Sequence, residues 1–323
     1  EHREYEVLPK PEGLIETIVN AFDEPFADDS TIPSYFVCKT AKENVTVALS
    51  GLGGDEVFAG YERYLGFGLN RIYEKLPLFF RENSIRKLVE MIPERSDGHY
   101  TVNHMKRFVR ASSLPNDLRY FSYISMLNDN FRDKLFAEPE KIKDSFDLCR
   151  KNILSHFNSS NACDSNNPLD LLNRVLYCDI KTYLPEDILT LTDRISMHHS
   201  LEVRVPFVDY KFMEFATTIP PEMKLKWFQK KYILKKAIKN ILPRGVINHR
   251  KQGFASPMAK WLQSDLKPYI LDTLSPEALK KHDLFNMSLV NSILNEHFNR
   301  NELHDKLIWS LVVFQNWFNV FLN

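Results

Sequence analysis

The sequence predicts an α/β fold that is mostly helical, the edge of a parallel sheet capped by a large helical region. Three observations predict it. A β-branched and apolar run, Val45 to Leu49, leads into a glycine-rich turn and then into two carboxylates. Long stretches beyond Tyr64 place apolar residues at three- and four-residue spacings, the helical period. Phe is abundant at 23 and Gly scarce at 10, which suits bulky helical cores better than a β-sandwich.

Taken in order, Tyr5 to Leu8 reads as a strand, Pro11 to Ala21 and Ile32 to Ala41 as helices, and Val45 to Leu49 as a buried strand of a parallel sheet. Residues 1–66 therefore read as the remnant of an α/β domain and 67–323 as its helical remainder. Within that remainder, Arg71 to Leu76, Ser84 to Met91, Leu118 to Leu127, Leu169 to Tyr183 and Tyr232 to Leu242 carry the helical spacing. Ser155 to Asn167 is polar and Asn/Ser-rich, so an exposed, mobile loop is expected, ended by Pro168. Leu307 to Leu322 is interrupted by Ser310, Gln315, Asn316 and Asn319, the pattern of a buried helix rather than of a membrane span of about 20 apolar residues.

Ser50 to Gly54 holds three glycines in four positions, and Asp55 and Glu56 follow at a helix start. Glycine permits positive φ and close approach of a ligand, and carboxylates suit the positive end of the helix dipole. One reading is a mouth that holds a nucleotide phosphate through a bridging metal ion. The other is an ordinary strand-to-helix turn whose aspartate caps the helix. The turn fits neither the dinucleotide G-x-G-x-x-G nor the G-x-x-x-x-G-K-[ST] pattern.

Five ordered motifs extend this reading. Asp23-Glu24-Pro25-Phe26-Ala27-Asp28 leads to Ile32-Pro33-Ser34-Tyr35, and Ser50-Gly51-Leu52-Gly53-Gly54-Asp55-Glu56-Val57-Phe58-Ala59-Gly60-Tyr61 follows. Downstream come Asp193-Arg194-Ile195-Ser196-Met197 with Leu201 to Asp209, then Arg250-Lys251-Gln252-Gly253-Phe254, and last Leu307-Ile308-Trp309-Ser310-Leu311. In this order they closely resemble the glutamine-dependent asparagine synthetases over nearly the whole chain. The resemblance implies the truncated edge of an adenine-nucleotide alpha-hydrolase-like sheet. It also implies an ATP-dependent ligase that adenylates aspartate and lets ammonia, released from glutamine by an N-terminal glutaminase domain, displace AMP.

What the resemblance implies for single residues follows. Asp55 helps hold the Mg²⁺ on the ATP phosphates, and Ser50, Gly51 and Gly53 contact the nucleotide. Lys251 stabilises charge at the α-phosphate and pyrophosphate, with Arg250 in support. Asp193 and Arg194 lie near the synthetase cleft or form a structural ion pair. Glu56 orients the loop or faces solvent, and Arg204 leans toward a structural role. His198 and His199 are read as structural, pointing in different directions. Leu52 departs from the pattern, because many family members carry Glu or Asp there and cyclising relatives carry Tyr. A leucine transfers no proton, which leaves open a divergent relative that amidates or cyclises another acid. The family's Ser-Gly-Gly-x-Asp-Ser pyrophosphate loop and catalytic N-terminal cysteine do not occur in these 323 residues. The expectation is a C-terminal part of the synthetase domain, inactive alone, cytoplasmic, from a family in which homodimers are frequent.

Charge and cysteines bound the alternatives. Lys plus Arg and Asp plus Glu both number 42, a net charge of zero that argues against a nucleic-acid coat or a membrane-surface protein. Cys38, Cys149, Cys163 and Cys178 show no C-x-x-C pairing, which argues against a zinc site and for a reducing compartment. From Lys224 to Lys251 run ten Lys or Arg and no acid. Lys230, Lys231, Lys235, Lys236 and Lys239 in that run are expected on a solvated face. A non-catalytic relative kept for partner binding is disfavoured, since Asp55 and Lys251 are both present.

Overall fold

Helices dominate because the apolar spacing does. The computed structural model describes residues 2–6, 13–92, 101–159, 168–249, 258–300 and 302–322. In the Leu14–Phe22 helix, Leu14, Ile15, Ile18, Val19 and Phe22 form one buried stripe at helical spacing. Gly13 at its start and Asp23 at its end both adopt left-handed backbone. The Asp305–Phe321 helix buries Leu307, Ile308, Trp309, Leu311, Val312 and Val313. Its buried Gln315 is satisfied by His282, 2.8 Å away. The expected buried helix is therefore present, although its last turn, at Val320 to Leu322, is exposed.

The sheet among the described residues has two parallel strands, β1 (Val47–Leu49) and β2 (Glu202–Arg204), paired Val47 to Glu202, Ala48 to Val203 and Leu49 to Arg204. The Ser50 amide donates to the Arg204 carbonyl at 2.8 Å, which carries the ladder into the glycine turn. The expectation of a strand buried on both faces is corrected. Val47 is 40% and Leu49 75% exposed, and Ala48 alone of the strand's residues packs on the core. No further layer among the described residues covers that face.

Three apolar clusters hold the helices. The largest joins the Leu14–Phe22, Thr31–Lys42 and Thr190–His198 helices to the C-terminal helices, so it spans both sides of position 66. The second gathers Tyr64, Phe67, Tyr120, Phe157 and Val175. The third packs Val57, Phe58 and Ala216 beneath Phe207 and Phe212, and it seats the glycine turn.

Other expectations shift at their edges. Tyr5 and Glu6 are not strand, and Tyr5 instead accepts a hydrogen bond from Asn44 at 3.0 Å; Val7 and Leu8 lie outside the described residues. The stretch read as helix from Arg71 is the end of Glu62–Tyr73, and Leu118–Leu127 is realised as Asn116–Ile124. The stretch expected as a helix from Ser84 to Met91 is π-helical through Ile85, within Arg81–Ile85, and α-helical over Arg86–Glu90. Ser155 to Asn158 continue the Pro139–Asn158 helix rather than a loop, and 160–167 lie outside the described residues. Pro168 opens the Pro168–Lys181 helix, where a fixed φ suits the first turn.

Candidate functional site

The glycine turn is held from below by the second half of the same site. Gly53 has φ 84°, and a Cβ there would lie 2.5 Å from Val208 Cγ2. Gly54 sits against the Phe207 ring, which a Cβ would meet at 3.3 Å. Both contacts come from the Pro206–Val208 turn that follows β2. The Leu201–Asp209 motif therefore pairs with β1 and packs under the turn, a role its sequence does not reveal. Gly51 is different. Nothing among the described residues lies within 4 Å of where its Cβ would stand, so no contact with them accounts for its glycine.

Asp55 starts the Gly54–Phe58 helix, and its Oδ1 lies 3.0 Å from Lys231 Nζ. Their side chains are 24% and 26% exposed, so the pair is shielded from bulk solvent. A Cβ on Gly60 would fall 1.7 Å from Asp55 Oδ1 and 2.5 Å from Lys231 Cε, so the pair occupies the space that Gly60 leaves. Lys231 takes a left-handed backbone, φ 53°, and its amide donates to the Phe58 carbonyl at 3.2 Å. The expectation of a solvated face is corrected for two lysines: Lys231 grips Asp55 and Lys230 pairs with Glu62. Lys224, at the start of the same run, is buried, and desolvation pushes its ammonium down to about 8. A run of cations reads as solvated when no acid is nearby in sequence, but these acids arrive from residues 55 and 62.

Glu56 does not face solvent. It is 1% exposed and accepts a hydrogen bond from the Tyr61 hydroxyl. Burial, and less strongly the neighbouring Asp55 and Asp179, push its carboxyl above the usual range. Below it, fully buried Asp179 accepts from Arg63 Nε at 2.9 Å, from Tyr120 at 2.7 Å and from Tyr64. The Arg63 guanidinium stands 4.3 Å from the Tyr61 ring centre and 4.5 Å from that of Tyr183. Next to Tyr183, Asp187 is pushed up to about 7, first by burial and then by its hydrogen-bonded neighbour Asp28. Asp28, in the Asp23–Asp28 lead-in, also accepts from the Ser30 amide at 2.7 Å and the Ser30 hydroxyl at 2.6 Å. Sequence reading missed Lys231, Asp179 and Asp187, since each becomes legible only through a partner far along the chain.

The other candidates divide. Asp193 is exposed, and Arg194 pairs with Asp23 at 3.3 Å rather than with its neighbour. Arg204 pairs with Glu202 at 2.7 Å in solvent. His198 and His199 do not diverge: their rings meet edge to face at 5.1 Å, and both pack on Tyr35. Leu52 is half-buried at the turn. Lys251 and Arg250 lie outside the described residues.

The class of site is thus a parallel strand opening into a glycine turn, with a carboxylate suited to a hard cation and an ammonium suited to a phosphate side by side. The chain belongs to the asparagine synthase family, which it matches over residues 1–319. It is 29% identical over 303 residues to asparagine synthetase [glutamine-hydrolyzing] 1 of Bacillus subtilis (strain 168), covering 94% of this chain and 45% of that protein. Asparagine synthetase [glutamine-hydrolyzing] 3 of the same organism is 25% identical over 80% of this chain and 36% of its own length. Amidase chry2 of Gibberella zeae is 20% identical over 80% of this chain and 39% of its own length. The chain therefore spans less than half the length of these relatives. Among the described residues, no helix is long and apolar enough to cross a membrane.

Proposed function

We propose that this chain is the synthetase part of an ATP-dependent amide ligase that converts aspartate to asparagine. The observation that carries the reading is the Asp55–Lys231 pair, packed against Gly60 just beyond the Gly54–Phe58 helix. In the reaction, a side-chain carboxylate oxygen of aspartate attacks the α-phosphorus of ATP and pyrophosphate leaves. Ammonia then attacks the acyl carbon, AMP leaves with the bonding electron pair, and the nitrogen loses a proton.

The residues present fit that substrate in the following way. The open space at Gly51 leaves room for a phosphate or ribose beside the Ser50 hydroxyl, with Gly53 fixing the turn. Asp55 is the carboxylate that would hold Mg²⁺, one such ligand being sufficient where phosphates and water supply the rest. The cation would neutralise the phosphate charge. Lys231, which pairs with Asp55 here, would bind a phosphate oxygen once Asp55 served a cation. Lys251, with Arg250 beside it, is assigned to the charge developing on the α-phosphate and pyrophosphate. Glu56, clamped by Tyr61, positions the helix that presents Asp55 and does not touch substrate.

A second reading rests on Leu52, whose side chain offers no acid where relatives carry one: the acceptor is another carboxylic acid. The experiment is ATP–pyrophosphate exchange by the complete gene product with aspartate and then with other acids. Aspartate-dependent exchange, lowered at least tenfold by Asp55→Asn and by Lys231→Met, supports the proposal. Exchange with another acid alone moves it to the second reading, and no exchange with any acid overturns both. On the same reasoning, the 323 residues alone, without a pyrophosphate loop or a glutaminase domain, bind ATP weakly, which calorimetry checks.

A further inference from the structure

The connection between the Met287–Phe298 and Asp305–Phe321 helices folds back onto the first of them. Arg300 turns the chain with left-handed backbone, φ 59°, and the Glu302 amide donates to the Glu296 carbonyl at 3.5 Å. The His304 amide donates to Nδ1 of the fully buried His297 at 3.2 Å, which anchors the end of the connection to the helix. This return brings together three side chains that the synthetase reading does not use. One ligand atom each from Glu296, Glu302 and His304 lies within 4.8 Å of the other two: two carboxylate oxygens and an imidazole nitrogen.

The spacing is close to that of a bound ion. Ligand atoms about 2.1 Å from zinc in tetrahedral geometry stand about 3.4 Å apart. His304 Nε2 donates to Glu296 Oε2 at 2.8 Å, so these two need only part slightly. Glu302 is exposed, and its side chain can close on them. The supporting contacts are also present. Ser292 Oγ donates to Glu296 Oε1 at 2.9 Å and leaves Oε2 turned to His304, as outer-shell bonds orient metal ligands. The His304 bond holds the Glu296 carboxyl below the usual range, so the ligand is already ionised at neutral pH. Glu302 and His304 line a cavity of about 750 Å³, which gives an ion its way in. That cavity also carries Lys106 and Lys306, so its field does not favour cations in general. Selection falls to the imidazole, which suits zinc and its neighbours, whereas Mg²⁺ prefers oxygen ligands alone.

We propose that Glu296, Glu302 and His304 form a site for a divalent transition metal ion of the zinc type, with water completing the coordination. The ion takes the place of the proton between His304 and Glu296, and the imidazole passes to its Nδ1–H tautomer. It ties the end of the Met287–Phe298 helix to the start of Asp305–Phe321. The site calls on no cysteine, in keeping with their scattered spacing. It shares no residue with the synthetase proposal, so the two stand or fall separately.

Titration calorimetry of the complete gene product, stripped of metal by a chelator and kept free of ATP, tests it with Zn²⁺ and separately with Mg²⁺. The quantity read is the difference between wild type and variants, so zinc held elsewhere in the gene product cancels. The wild type is expected to take up one Zn²⁺ more than His304→Ala, and to prefer zinc to Mg²⁺ at that site by roughly a hundredfold. Glu302→Gln changes an exposed side chain and keeps the fold; it should weaken this zinc about tenfold, and Ser292→Ala, which frees Glu296 Oε1, about tenfold as well. Co²⁺ should give visible absorption bands in the wild type that His304→Ala lacks. Zinc should raise the melting temperature of the wild type and leave that of His304→Ala where it was. Metal-free melts confirm that the variants fold, and their ATP–pyrophosphate exchange should match the wild type. Equal zinc uptake by wild type and His304→Ala, zinc affinity indifferent to Glu302→Gln, or Mg²⁺ bound as tightly as zinc would each overturn the proposal and leave an ordinary ion pair beside an exposed acid.

Discussion

Replacing Gly60 by alanine tests whether the Asp55–Lys231 pair is as tightly seated as its geometry indicates. The new Cβ would stand 1.7 Å from Asp55 Oδ1 and 2.5 Å from Lys231 Cε. Gly60 has no positive φ, so backbone strain contributes nothing and the cost comes from displacing the pair. Overpacking of this kind costs about 1–3 kcal/mol. Gly68, exposed in the Glu62–Tyr73 helix with nothing within 4 Å of its would-be Cβ, is the control. There alanine should stabilise by about 0.8–1 kcal/mol through helix propensity. The same chemical change thus has opposite signs at positions eight residues apart. Urea unfolding followed by far-UV circular dichroism measures both, and the two variants should differ by roughly 2–4 kcal/mol. The cost at Gly60 should also fall by more than about 1 kcal/mol in an Asp55→Ala background, where the nearest clashing atom is gone. If Gly60→Ala is as well tolerated as Gly68→Ala, or costs the same with and without the Asp55 carboxylate, the seating inferred for the pair is wrong.

Two further outcomes follow. Asp187 is pushed up to about 7 from the ordinary 3.8 by burial and by Asp28, with Tyr183 and Arg63 acting in the opposite sense. Between about pH 4 and 7 the folded chain holds this proton more tightly than the unfolded chain, so stability from this group falls as pH rises through that window. Asp187→Asn should therefore gain on the wild type as pH rises from 4 to 7, by at most about 4 kcal/mol, in urea titrations at the two ends. A constant difference across the window would refute the assignment. Among the three described cysteines, Cys149 is exposed while Cys38 and Cys178 are buried, and burial pushes Cys178 up to about 11. Alkylation of the native protein followed by peptide mass spectrometry should label Cys149 and spare the other two until urea is added. Rapid native labelling of Cys178 would contradict the packing around it.

Several features were legible in the residues themselves because their causes are local. The stripe of Leu14, Ile15, Ile18, Val19 and Phe22 announces its helix. The step from Val45–Leu49 into Ser50–Gly54 announces a strand and a glycine-rich turn, while the need for glycine at position 53 comes from its φ of 84° and from Val208 beneath it. The order of the motifs was enough to indicate the family. Tertiary structure decided what depends on distant partners. That Glu56 is buried follows from the Tyr61 hydroxyl folding back on it, and that Gly60 must be glycine follows from an ion pair made across 176 positions of sequence, from residue 55 to residue 231. Lys231 looks like one cation among ten until the chain brings it to Asp55. Strand Val47–Leu49 looks buried on both faces because its composition reports apolarity, while its exposure depends on which layers cover it. Sequence states which groups a chain has to offer; the fold sets which of them share a dielectric and a distance, and on those two quantities the charge pairs of this protein depend.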